Sequence, residues 1–412
     1  MPKKLLGGIA LLAVVCGVAG LVWRTEIARL RFSTSLFSGA EQYENFARIA
    51  GLFPTTTTRA PERAVSFPAG TPITLPAGFD YEGRHWRTGE FLETTDTAAL
   101  LVLHRGRIRF EEYWLTGGPD VQWLSMSVAK SFVSALVGVA VEEGSIRDIE
   151  EPITDYLPLL RGSAYDGVRI KDILQMSSGA AWDETYGDPD SDINRFGRIL
   201  AIGGSLNEFA TTLEREREPG TYNHYNSTDT QVLGWLLVEA TGQSVTEYLR
   251  EKLWEPLGME NDAYWMSDDH GMEMVFGGLN ATARDYAKLG ELYRNGGRFE
   301  GQQVVPEAWV RASVTPDAPH LQPGEHDMSD WSIGYGYQWW VPESTEGEYS
   351  AIGVYNQFIY VNPSRELVIV KLSANSGYAT AEDGSADMEF ETIEFFRAIA
   401  EQFPAVRSPR QG

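Results

Sequence analysis

The segment "SVAKSFVSALVGVAVEEG", residues 127–144, carries small or apolar side chains on every side until its acidic end. A helix that is apolar all round belongs at the centre of a domain, so the rest of the chain has to fold around it. At the start of this segment stands Lys130, one of only seven lysines in 412 residues and the only one with a serine three positions before it, Ser127. On a helix, positions i and i+3 share a face and their side chains meet. A desolvated lysine can take a proton from a serine hydroxyl, which activates serine without histidine. Taken alone, Ser-x-x-Lys fits equally well a helix start with a solvated lysine. Ser125 is a rival nucleophile by proximity, but no lysine follows it at i+3.

Composition narrows the classes. A hydrophobic content of 43% with 12% aromatic residues describes a globular chain with a sizeable core. The formal net charge of -24 argues against nucleic acid as a partner and against a surface that binds anionic lipid. One cysteine, Cys16, rules out an intrachain disulfide framework. Six scattered histidines form no HExxH and no Cys/His cluster, so no metal site is expected. "DPDSDI", Asp188 to Ile193, opens like a calcium loop, but Ile193 and Ile199 stand where glycine and a bidentate glutamate are needed. It reads as a polar loop.

The N-terminus, "MPKKLLGGIALLAVVCGVAGLVWR", has two lysines and then an uncharged apolar run from Leu5 to Trp23. At helical rise this run spans roughly 28 Å, close to the hydrocarbon thickness of about 30 Å. Residues 1–24 are therefore expected to be a signal anchor, or a signal peptide cleaved near Gly17-Val18-Ala19. Either way the remaining chain is exported, to the periplasmic or extracellular side.

Residues 25–94 read as a linker and N-terminal extension, rich in Thr and Pro. "AALLVLHRGRIRFEEYW" reads as a hairpin turning at Arg105-Gly106. Short helices follow in "SIRDIEEPITDYLPLL" and "VRIKDILQMSSG", and a largely apolar helix runs from Asn226 to Thr241 with Gly242 after it. "YGYQWWV" is strand-like, and "YSAIGVYNQFIYVNPSRELVIVKLSA" reads as two strands joined near Asn362-Pro363. A last helix covers roughly Asp387 to Phe403. Strands at both ends with helices between predict an α+β fold, an antiparallel sheet flanked by helices with an all-helical subregion.

Several stretches, in this order, resemble the serine hydrolases of the β-lactamase and penicillin-binding-protein fold over roughly residues 95–405, within a domain placed at 95–412. They are "SVAK" at Ser127 to Lys130, "ILQMSSG", "PGTYNHYNSTDTQVLG" with Tyr225 at the tyrosine of Tyr-x-Asn, "GGLNATARDYAKLG", and "AIGVYNQ" where the third motif begins a strand. Two departures stand out: Ser227 occupies the usual asparagine position, and Ala351 replaces the third-motif lysine. Both fit a sub-branch, the 6-aminohexanoate-dimer hydrolases and related family VIII-type esterases. The resemblance implies Ser127 as nucleophile, Lys130 and Tyr225 as proton relay, and the backbone N–H groups of Ser127 and Val354 as oxyanion donors beside Gly353. It further implies substrate contacts at Tyr186, Asn280 and Ser227.

The expected activity is hydrolysis of a small-molecule ester or amide through an acyl-enzyme, with no cofactor. Two other readings stay open, a cell-wall D,D-peptidase or weak β-lactamase, and a non-catalytic binding module of the same fold. The sequence leaves the oligomeric state open.

Overall fold

The computed structural model describes residues 24, 36–37, 42–50, 53–381 and 384–406. The apolar run Leu5–Trp23 lies outside the described residues. Among the described residues no helix is long and apolar enough to cross a membrane.

The segment at 127–144 forms a short 3₁₀ turn, Met126–Val128, leading into helix α1, Ala129–Glu142, and every residue from Ala129 to Ala140 is buried. Three more helices follow: α2 (Asp192–Ile202), α3 (Ser227–Thr241) and α4 (Ala283–Arg294). Helix α3 is capped by Asn226, whose side chain accepts from the Thr228 N–H, and ends at Gly242 in the left-handed conformation. The C-terminal helix α5 is Glu389–Ala400.

The main sheet has seven antiparallel strands drawn from both ends of the chain. In chain order they are β1 (Thr97–His104), β2 (Arg107–Tyr113), β3 (Gly334–Tyr335), β4 (Trp340–Val341), β5 (Tyr349–Gly353), β6 (Gln357–Asn362) and β7 (Leu367–Ser373). Their order across the sheet is β3-β4-β5-β6-β7-β1-β2. Helix α4 lies on one face so closely that a side chain at Gly290 would strike Val368 and Ile359. Helix α5 covers the other face, where Phe395 and Phe396 pack on Phe79, Phe358 and Tyr360. This is an α+β fold of antiparallel strands between helical layers.

Two sequence expectations change. The stretch read as two strands is three, because the chain also turns at Tyr355-Asn356, both left-handed (φ 64° and 63°). "YGYQWWV" is a tight hairpin, β3 and β4, with left-handed Gln338 at its turn (φ 62°). Within 25–94, Thr55–Thr58 joins Ala263–Met266 as the edge of a second, four-stranded sheet, and Gly78–Tyr81 pairs with Arg84–Arg87.

Candidate active site

A cleft of about 730 Å³ opens over the start of α1, with Ser127 and Tyr225 on its surface. Ser127 follows Met126, which holds a left-handed backbone (φ 46°) without being glycine. Strain of this kind, of order 1–3 kcal/mol, persists only where the surroundings impose it. No side chain caps the turn or α1, and Ser127, within that turn, lines the cleft.

Lys130 lies beneath the surface, 1% exposed. Its Nζ is 3.1 Å from Ser127 Oγ, 3.0 Å from Ser227 Oγ and 2.8 Å from the Phe276 carbonyl oxygen. Burial pushes Lys130 down to about 7, with the charges of Glu184 and Asp229 pulling the other way. The amine is thus available as a base near neutral pH. Tyr225 is raised above its ordinary value, first by burial and then by Glu184, against a hydrogen bond with Ser127. It stays a neutral phenol, so of the two it is Lys130 that can accept a proton. The Tyr225 ring stacks on Trp340, with centroids 5.2 Å apart.

Glu184 was not singled out by sequence reasoning, although it lies two residues before Tyr186, which was. One carboxylate oxygen accepts from Ser227 Oγ at 2.7 Å and from the Tyr186 hydroxyl at 2.7 Å. The other accepts from the Ser227 backbone N–H at 3.1 Å and from the Trp182 indole. All four partners are donors.

That arrangement fixes the protons around Lys130. Ser227 gives its hydroxyl hydrogen to Glu184, so it can only accept from Lys130. The Phe276 carbonyl also only accepts. A neutral lysine has two N–H bonds and one lone pair. With both N–H bonds committed, the lone pair is left for Ser127. The Glu184–Ser227 pair therefore aims the base at the nucleophile.

Gly353, at the end of β5, presses on the same turn. A Cβ there would fall 2.9 Å from both Ser127 N and Ser125 O. Val354 and Ile352 line the cleft. With glycine at 353, the chain can pass this close to the Ser127 N–H, and Val354 follows it at the edge of the cleft.

The remaining expected residues fall differently. Tyr186 lines the cleft with its hydroxyl turned to Glu184. Ser227 is fully buried and serves Lys130 and Glu184, so it is not a surface for substrate. Asn280 is fully buried in the strand Leu279–Ala281, donating to the Gly278 carbonyl, and does not reach the cleft. Both were expected at the substrate because their sequence positions match contact positions, but burial removes them. Ala351 is also in the core, 1% exposed, opposite Ile359 in β6. Ser125 is buried with its hydroxyl on the Met126 carbonyl.

The β-lactamase family profile matches residues 90–389. The chain is 33% identical to the 6-aminohexanoate-dimer hydrolase of Paenarthrobacter ureafaciens over 341 residues, 80% of this chain and 84% of that protein. Among solved structures it resembles a Bacillus anthracis protein provisionally named 6-aminohexanoate-dimer hydrolase, with a TM-score of 0.79 and 23% identity, covering 90% of this chain and 97% of that one. It also resembles a family VIII carboxylesterase, with a TM-score of 0.57 and 15% identity over 76% of this chain and 94% of the other.

Proposed function

The chain belongs to the β-lactamase family of serine hydrolases, and from that premise we propose that it cleaves small amides and esters in the manner of a 6-aminohexanoate-dimer hydrolase. The observation that carries this reading is the position of Lys130 Nζ, 3.1 Å from Ser127 Oγ and otherwise held by two acceptors, Ser227 Oγ and the Phe276 carbonyl oxygen.

In the reaction, Ser127 Oγ attacks the substrate carbonyl carbon while its proton passes to Lys130 Nζ. The carbonyl oxygen gains negative charge and is held by the N–H groups of Ser127 and Val354, with the positive end of α1 behind them. Tyr225, neutral and beside Ser127, gives its proton to the departing nitrogen or oxygen and recovers one from the Lys130 ammonium. Water then attacks the acyl-Ser127 ester by the same steps in reverse order, releasing the acid and restoring Ser127. Glu184 faces the ammonium that forms on Lys130, through Ser227, and lowers the cost of that charge in a buried site.

The substrate class follows from charge. Among the described residues no lysine or arginine lines the cleft, and its one histidine, His224, is already paired with Asp330, so a penicillin-type carboxylate finds no unpaired cation there. Charge-assisted hydrogen bonds of that kind contribute about 1.5–3 kcal/mol, roughly ten- to a hundredfold. Kinetics on p-nitrophenyl butyrate, the 6-aminohexanoate linear dimer and nitrocefin test the reading. The ester and the dimer should turn over, with nitrocefin at least tenfold slower in kcat/KM; nitrocefin or benzylpenicillin as the best substrate would move the assignment to a β-lactamase or cell-wall peptidase. An exported location, with residues 5–23 as the anchor, is part of the same proposal and rests on sequence alone. Full-length protein should sediment with membranes, and a form beginning near Thr25 should not.

A further inference from the structure

The cleft is a site on independent grounds, because the nucleophile and its base form its floor. Its walls carry an unusual charge balance. Five lining carboxylates, Asp183, Glu184, Asp188, Asp387 and Glu389, have no ion pair among the described residues; Asp330 pairs with His224, and Glu184 is held by its four donors. Asp183 and Asp188 are accounted for locally, since each accepts a backbone N–H within its own turn, from Thr185 and Asp190. Asp387 and Glu389 take their hydrogen bonds instead from Ala379 and Tyr378, outside their own turn. They stand two residues apart where the chain enters α5, on either side of the left-handed Met388, and both are partly buried. Asp387 accepts one backbone N–H, from Ala379 at 2.8 Å, and Glu389 accepts the Tyr378 hydroxyl at 2.7 Å.

Burial raises both carboxyl groups, Glu389 to about 7, and the charge of Asp387 adds to the rise at Glu389. Two carboxylates held together, partly dried and without a cation are costly to the free protein. The ring of Tyr378 stands beside them, edge-on to Tyr186 at 6.4 Å, so an aromatic wall meets the acidic corner. Carboxylates against aromatic faces form the environment in which organic cations bind, by ion pairing and by attraction to the rings. Basic residues nearby on α2 are already engaged, Arg195 with Asp192 and Arg198 with the Pro189 carbonyl.

We propose that the cleft selects substrates bearing an ammonium or guanidinium group and no free carboxylate, with the cation seated at Asp387 and Glu389. This rests on the hydrolase reading above and narrows it: a zwitterion is accepted for its ammonium end and disfavoured for its carboxylate end.

The test uses three p-nitrophenyl esters of equal length, ending at C6 in a tert-butyl group, a trimethylammonium group or a carboxylate. The quaternary ammonium cannot cyclise onto the ester and matches the tert-butyl group in shape, so that pair differs in charge alone. In low salt the cationic ester should exceed the neutral one at least tenfold in kcat/KM, and the anionic ester should fall below it by a similar factor. In the double variant Asp387→Asn, Glu389→Gln the cationic-to-neutral ratio should drop at least fivefold. The exposed control Glu300→Gln should leave that ratio as it is, which separates a built subsite from steering by the overall negative charge. Equal rates for cationic and neutral esters, or a preference that survives the double variant, would overturn the proposal. If the wild type turns over none of the three, the hydrolase reading fails instead. Calorimetric titration with hexyltrimethylammonium and with hexanoate then still decides the charge preference, which fails if the cation binds no more tightly than the anion.

Discussion

The floor and the rim of the cleft are built on opposite principles. On the floor, Ser127, Lys130 and Ser227 sit at the starts of two buried helices, and every polar atom of Lys130 and Glu184 meets a partner. The rim comes from loops around residues 182–188, 329–331, 376–381 and 384–389; there Asp330 pairs with His224, while Asp183, Asp188, Asp387 and Glu389 have no ion pair among the described residues. The floor contributes a single basic side chain, poised near neutrality; the rim contributes negative charge. The contrast separates reactivity from selection. On this reading the nucleophile and its base rest on buried helix starts, whereas the choice among substrates is left to loops.

The sharpest way to break this division is at the nucleophile. Ser127→Ala should lower esterase activity by about 10⁴-fold or more, since removing a nucleophile costs on that scale. A fluorophosphonate should label Ser127 and no other serine. Ser125→Ala should stay labelled, because the Ser125 hydroxyl is buried on the Met126 carbonyl. A label on Ser125 would reassign the floor. Next in size is Gly353→Ala, which drives a methyl group into Ser127 N and Ser125 O. Loss of one oxyanion donor costs about 10²–10³ in kcat, so a fall of that order is expected with KM little changed. Activity within fivefold of wild type would mean that the oxyanion sits elsewhere.

Glu184→Gln tests whether the floor works as one electrostatic unit. Glu184 helps hold Lys130 near 7, so removing its charge should lower Lys130 further. The acid limb of kcat/KM reports loss of the free base, and it should therefore move to lower pH in the variant. At pH 8 the rate should still fall about ten- to a hundredfold, because glutamine can donate to Ser227 and undo the aim of the lone pair. A purely structural role would scale the profile without moving its midpoint.

The same division decides what could be read from the chain alone. Helices α1 and α3 were legible because apolar residues run unbroken between a polar start and a glycine or acidic end. The β1–β2 hairpin was legible from Arg105-Gly106, both left-handed in the fold. The turn at Tyr355-Asn356 was not, since "YSAIGVYNQFIYV" reads as one apolar β run and only Asn356 hints at a left-handed residue. That turn shapes the chain just past Val354. On the floor, Ser127 and Lys130 are three residues apart and signal themselves. Glu184 reaches them only through the course of the 182–188 loop, where Asn194 holds the Tyr186 and Asp188 carbonyls. Ser227 and Asn280 show the converse failure, in which a matching position says nothing about which way a side chain is buried.

The smallest effect probes the rim from the side of stability. A carboxyl group held at about 7 in the fold binds its proton more tightly there than in the unfolded chain, where it titrates near 4.5. Between those values the unfolded state has released the proton and the folded state has not. Folding stability contributed by Glu389 therefore declines as pH rises from about 4.5 to about 7, and the full cost remains above that. One pH unit of displacement corresponds to about 1.4 kcal/mol, so the cost is at most about 3 kcal/mol and nearer 1–2 after partial hydration of the site. Glutamine at this position has no charge to desolvate. Glu389→Gln should thus melt at the same temperature as wild type at pH 4.5 and a few degrees higher at pH 8, measured by differential scanning calorimetry. Saturating hexyltrimethylammonium should raise the wild-type melting temperature at pH 8 and bring the two proteins together. If the variant is less stable than wild type at pH 8, Glu389 supports the fold, and the rim is no more specialised for ligand than the floor.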